Sequence, residues 1–251
     1  TRENDGTTEQ LHEIYKTGDA IRGMMSKHPE FAERSNIIVP PVPEDLHSII
    51  DRYLADYFIQ GGFPEVWSLP DWQLKQSYLF DNQVEKVISE DLVLAVELRK
   101  PELMKRFYIS LLENPGCEIN LTKLSQSLEI SRPNIEKYFP LLEMTDLIHH
   151  AEKFNKGALK VRRGNIKCYL IDLALRNAVL RIHDTLLQDS QMLGLYAENL
   201  VFNALKKWEG TVGISYFREK QSEVDFIVHT ASKTYYPIEV KYKETIEKFK
   251  I

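Results

Sequence analysis

Cysteine is scarce: Cys117 and Cys168 are the only two in 251 residues. That is too few for a disulfide framework or a four-ligand zinc site, and it points to a reducing, cytoplasmic compartment. Long apolar runs are missing as well. The longest extends from Leu92 to Val96, far short of the roughly 20 residues a bilayer requires, so no membrane association is expected. Residues Thr1 to Gln10 are polar throughout and lack the basic-then-apolar pattern of a leader. The eleven glycines form neither a GxGxxG turn nor a GxxxxGK loop followed by Ser or Thr, so ATP is not expected to bind this chain through a P-loop.

What is present is an ordinary folding composition, 43% hydrophobic and 27% charged, with enough apolar surface to offset the entropy of ordering. The net charge of −5 is unevenly spread. Residues 1–51 carry five basic against ten acidic residues, whereas 151–168 carries Lys153, Lys156, Lys160, Arg162, Arg163 and Lys167 against Glu152 alone. Such a strip says more about partners than the total does. It suits sequence-independent contact with nucleic-acid phosphates, and a protein-docking surface is the competing reading.

Four segments are expected. Residues 1–45 form an acidic, Pro-containing linker ending in Val39-Pro40-Pro41-Val42-Pro43, because each proline fixes φ and removes a donor. Residues 46–118 form a helical connector. Its first helix carries Leu46, Ile49, Ile50, Tyr53, Leu54, Tyr57 and Phe58 at helical spacing and stops at Gly61-Gly62. Further helices are predicted over 71–89 and 102–113. Residues 119–170 are predicted as a winged helix-turn-helix: helices over 121–128 and 133–144, then strands at 147–150 and 166–170 around the basic loop 156–164. His149-His150 reads as a surface pair at a strand end. Residues 171–251 begin with a helix over 191–208, whose stripe is Leu193, Ala197, Leu200, Val201, Ala204, Leu205 and Trp208. Strands follow at 213–218, 223–229 and 236–243.

The chemistry-bearing stretch is Glu223-Val224-Asp225-Phe226-Ile227 with Ile238-Glu239-Val240-Lys241. A five-residue loop, 230–234, sets His229 opposite Tyr235, and in that register Asp225 faces Glu239 and Glu223 faces Lys241. Neighbouring carboxylates about 5 Å apart at Cβ make an oxygen-rich site suited to Mg²⁺, with Lys241 at hand to orient a water and Glu198 as a third carboxylate. The competing reading is a solvated hairpin whose Glu223 and Lys241 form only a cross-strand ion pair.

Glu198, Asp225 and Glu239-Val240-Lys241, in the order helix, strand, strand, resemble the active-site set of the PD-(D/E)xK nucleases, with Val224 in place of the eponymous proline. The resemblance implies Asp225 and Glu239 as metal ligands, Lys241 and Glu198 as catalytic groups, and Mg²⁺ as cofactor. That fold continues with a helix and another strand, so a domain incomplete at the C-terminus is expected. Gly61-Gly62-Phe63-Pro64-Glu65, the helix-turn-helix, Lys167-Cys168-Tyr169-Leu170-Ile171-Asp172, Glu198-Asn199 and Glu223-Val224-Asp225-Phe226 follow one another. In this order they resemble the C-terminal half of a prokaryotic, especially archaeal, AAA-type ATPase family over roughly residues 45–245. The resemblance implies an α+β fold of helical connector, winged helix-turn-helix and restriction-endonuclease-like α/β domain. It also implies DNA as partner and an ATPase domain or partner missing from this chain. A non-catalytic module that binds nucleic acid or protein for a partner ATPase is the alternative.

Overall fold

The computed structural model describes residues 44–154, 165–208, 210–220 and 222–242. The chain divides into two compact units, residues 1–55 and 56–251. Of the first, the described part is the beginning of helix α1 (Glu44–Gln60), which ends in the second. The expected linker lies outside the described residues up to position 43.

The fold is α+β, as the sequence reading expected. Helices α2 (Pro64–Trp67), α3 (Trp72–Leu79), α4 (Leu92–Val96) and α5 (Pro101–Leu112) precede the first strand, β1 (Glu118–Ile119). The single helix expected over 71–89 is interrupted. Between α3 and α4 the chain takes π-helical turns at Phe80–Glu85 and Val87–Asp91. The buried residues there are Leu79, Val84, Ile88 and Leu92. The step from 79 to 84 is one residue too long for an α-turn, and a wider turn keeps both side chains on the buried face.

Helices α6 (Leu121–Leu128) and α7 (Arg132–Met144) form the helix-turn-helix. Asn120 caps α6 by accepting from the Thr122 and Lys123 N–H groups, and α7 buries Ile135, Tyr138, Phe139 and Leu142. Strands β2 (Ile148–Lys153) and β3 (Ile166–Leu170) follow and pair antiparallel. After them come α8 (Leu173–Leu180), a 3₁₀ turn (Asp184–Gln188) and α9 (Ser190–Lys206). The remaining described strands are β4 (Thr211–Glu219), β5 (Ser222–Thr230) and β6 (Tyr235–Ile238).

One mixed sheet of order β1-β3-β2-β4-β5-β6 joins all of these strands. The boundary expected at 170 does not divide the sheet, because β2 pairs parallel with β4 at Glu152↔Ser215 and Lys153↔Tyr216. Helix α9 lies across β3, β4 and β5. Phe202 stacks on Tyr169 with centroids 4.1 Å apart and lies 5.9 Å from Phe226, so one aromatic cluster closes the interface.

The α9 stripe differs from the expected one. Leu193, Tyr196, Asn199, Phe202 and Asn203 are buried, whereas Ala204 is exposed. Two asparagines go inward because the Leu170 end of β3 offers backbone groups to pair. Asn199 donates to the Leu170 carbonyl and accepts from its N–H, each at 2.8 Å, and Asn203 donates to the carbonyls of Leu170 and Ile171.

The helical layer is tied to the sheet at Asp172. Its carboxylate caps α8 through Ala174 N–H (2.8 Å) and accepts from Gly62 N–H (2.6 Å). Gly61 sits at φ +74°, and a Cβ there would stand 2.3 Å from Asp172 Oδ1. Gly61→Ala is therefore expected to destabilise by about 1–3 kcal/mol, through the left-handed backbone and the collision together. Gly194 in α9 has nothing within 4 Å of a built Cβ, so Gly194→Ala should be neutral or stabilise by up to about 1 kcal/mol. Urea unfolding of the two variants checks the contrast.

Candidate functional site

A β-bulge builds the site. In the β4–β5 ladder Ser215 pairs with Ile227, but Phe217 pairs with Val224, so Asp225 and Phe226 together oppose Tyr216. The extra residue breaks the in–out alternation and turns both side chains inward: Asp225 and Phe226 are consecutive buried residues. Without the bulge, a carboxylate next to a core phenylalanine would face the opposite side of the sheet.

Strand β3 brings a lysine to this carboxylate. All five of its residues are buried, because elements cover both of its faces. Alternation puts Lys167 on the same face as Tyr169, which stacks on α9. Lys167 is only 3% exposed. Its Nζ lies 3.0 Å from Glu198 Oε1, 3.2 Å from Glu223 Oε1 and 3.9 Å from Asp225 Oδ1, and 5.7 Å from the centroid of the Tyr216 ring. Tyr169 OH also donates to Glu198 Oε1 at 2.8 Å. Gly116, at φ +75°, brings the loop before β1 alongside Glu198 and Tyr169.

The placement of Lys167 corrects its assignment to the nucleic-acid-binding strip: an ammonium enclosed by three carboxylates is not available to a phosphate. Lys153 is exposed at the end of β2. Lys156, Lys160, Arg162 and Arg163 lie outside the described residues. The two histidines are half-buried rather than a surface pair. His149 packs near Phe202, and His150 bonds Glu143 through Nδ1.

The second hairpin keeps the expected register at its start. His229 pairs with Tyr235 and Phe226 with Ile238. Strand β6 then ends at Ile238 instead of running on to 243. The Asp225 carboxylate takes over the next backbone donor, accepting Val240 N–H at 2.8 Å through Oδ2. Glu239 and Lys241 do point the same way and form an ion pair with each other. The Glu223–Lys241 ion pair of the competing reading is replaced: Glu223 pairs with Lys167 and, at 3.7 Å, with Arg218.

Burial dominates the electrostatics of the site. Burial raises the Glu198 carboxyl above the usual range; Asp225 adds to the rise, and Lys167 and Tyr169 offset only part of it. Burial likewise raises Asp225 and Glu239 raises it further, against the Val240 N–H, Lys167 and Lys241. Burial pulls Lys167 down, but Glu198 and Glu223 more than reverse it, so the ammonium is held more firmly than usual. Glu239 holds the Lys241 ammonium above its ordinary value.

Among the described residues, no group of three or more His, Cys, Asp or Glu is arranged to hold a metal ion. Mg²⁺, however, is commonly bound through one or two carboxylates, its other positions taken by water and substrate phosphate. Asp225 and Glu239 are the pair that suits that mode: Asp225 Oδ2 is held by the N–H of Val240, the residue after Glu239, and among the described residues the Lys167 ammonium, at 3.9 Å, is the partner of Oδ1.

The class defined so far is an α+β protein whose single mixed sheet carries a half-buried carboxylate–lysine cluster beside a helix-turn-helix. The model of a family described as "Domain of unknown function (DUF8612)" matches residues 51–186, more than half of the chain, and the chain belongs to that family. A second model, "Domain of unknown function (DUF4143)", matches residues 193–250. No curated protein and no solved structure matches the chain. Among the described residues, no helix is long and apolar enough to cross a membrane.

The raised carboxyls fix a sign for pH dependence. A carboxyl whose folded pKa exceeds its unfolded one contributes stability at low pH, and that contribution is lost as pH rises through the interval between the two values. In metal-free buffer, Asp225→Asn should therefore gain stability relative to wild type between about pH 4 and about pH 7. Denaturant titrations at both ends of the range read the difference, and a flat or falling difference contradicts the assignment.

Proposed function

We propose that this chain carries a Mg²⁺-dependent phosphodiesterase site of the nuclease type and belongs to an AAA-type ATPase-associated protein. The observation that carries the proposal is geometric: Lys167 brings Glu198 from a helix within reach of Asp225 on β5, and Asp225 in turn accepts the N–H of Val240, between Glu239 and Lys241. Asp225 and Glu239 would hold the ion. Bound Mg²⁺ would supply Lewis-acid stabilisation of the charge that develops on a scissile phosphate. Lys241, beside Glu239 and partly exposed, orients a water toward the phosphorus. Glu198, fixed by Tyr169 and Lys167, stays with its charge directed at the site. The ATPase association is supported by the order of the motifs from Gly61 to Phe226 and by the DUF4143 match over 193–250.

DNA contact is assigned to the basic strip rather than to α7. The first cation of α7, Arg132, is committed to Glu136 at 2.8 Å and to Thr122 at 2.7 Å, so that helix presents little free positive charge. Replacing Arg162 and Arg163 with alanine should weaken DNA binding similarly across sequences and reduce the slope of log affinity against log salt by about 2. Binding titrations at several salt concentrations measure it.

One observation favours a second reading, a non-catalytic module that serves a partner ATPase: Lys167 already neutralises part of the cluster. Asp225→Asn separates the two. If the site is catalytic, wild type should cleave DNA or RNA with Mg²⁺ and melt higher in its presence, while Asp225→Asn loses both responses. If the module is a binding scaffold, neither protein should respond to Mg²⁺.

A further inference from the structure

We infer that Lys167 serves as a fixed second cation of the carboxylate site, so that the site takes one divalent ion, at Asp225 and Glu239, and not a pair. The inference rests on reading those two residues as Mg²⁺ ligands. Two-ion phosphodiester sites place their metals roughly 3.5–4 Å apart, clamped by shared carboxylates. Here the carboxylate positioned to be shared is Asp225. Its Oδ1 faces the Lys167 ammonium at 3.9 Å, and its Oδ2 accepts the Val240 N–H, next in the chain to Glu239, at 2.8 Å. The remaining carboxylates that a second ion would need, Glu198 and Glu223, are already on Lys167 at 3.0 and 3.2 Å.

Lys167 suits this role because its position is over-determined. It stands on a strand buried along its whole length, and the Tyr216 ring flanks its ammonium. A point charge on a four-carbon stem replaces an ion without needing its coordination geometry. Lys241 does not duplicate the function: it is more exposed, and its ion-pair partner is Glu239 rather than Glu198 or Glu223. Lys167 is thus a positioning residue that acts through Glu198 and Asp225, and it limits what the site can load.

The test counts ions on the whole chain with Mn²⁺ as probe, by calorimetry and by the paramagnetic resonance of free Mn²⁺, with thermal melts alongside. Wild type should bind one Mn²⁺. Lys167→Met leaves Glu198 and Glu223 without their cation; it should bind two, with a melting temperature that depends more steeply on Mn²⁺ than that of wild type. Lys167→Arg keeps the charge and should return the count to one, a rescue that a purely packing role would not produce. Two ions on wild type, or one ion of unchanged affinity on Lys167→Met, would overturn the inference while leaving the metal reading intact. No ion on wild type removes the metal reading and the inference with it. Should Lys167→Met not fold, Lys167→Gln is read in its place by the same count, and two ions on wild type alone still overturn the inference.

Discussion

The buried carboxylate of Asp172 is the joint on which the rest of the second unit depends. It stands where β3 ends and α8 begins, and its oxygens accept from the backbone N–H of Ala174 and of Gly62, 110 residues earlier in the chain. Burial raises its pKa, and the two backbone donors work against that rise. Around the joint, Asn177 donates to the Phe58 and Ile59 carbonyls at the end of α1, and Arg176 reaches the Leu112 carbonyl at the end of α5. Helix ends expose carbonyls that lack an intrahelical partner. Here side chains of α8 satisfy those of two other helices, so one short helix collects the ends of the helical layer and fixes them to the sheet.

The same logic governs the sheet side. Asn199 and Asn203 on α9 pair with backbone groups at the end of β3, and Tyr169 stacks on Phe202 beside them. Strand β3 is therefore held by hydrogen bonds at one end and by ring contacts along its face. A lysine in the middle of such a strand has no route to solvent, which is why the carboxylates come to it.

Much of this was legible in the sequence, and the failures have physical causes. Helices α6 and α7 followed from their periodicity and turn, and the β5–β6 register followed from the length of the loop. The bulge at Asp225 and Phe226 has no signature in residue type, since it is a mismatch of strand counts that emerges only when β4 and β5 pair. The burial of Lys167 had a signal that went unread. Ile166, Cys168 and Leu170 alternate with Lys167 and Tyr169, and a lone lysine sharing a strand face with a tyrosine is badly placed for a solvated wing. Counting it with the basic residues upstream obscured that pattern. The asparagine stripe of α9 was missed for a related reason: hydrophobic periodicity does not register polar residues that are buried by pairing with backbone.

The parallel pairing of β2 with β4 makes strands β2 and β3 and the carboxylate cluster parts of one plate. Strand β3 begins at Ile166, and the next residue is Lys167, already inside the cluster. Lys153, exposed at the end of β2, and Lys167, enclosed on β3, are thus cations on paired neighbouring strands, one turned to solvent and one turned inward. A load applied at the end of β2 passes through the β2–β3 ladder to the lysine at the centre of the carboxylates.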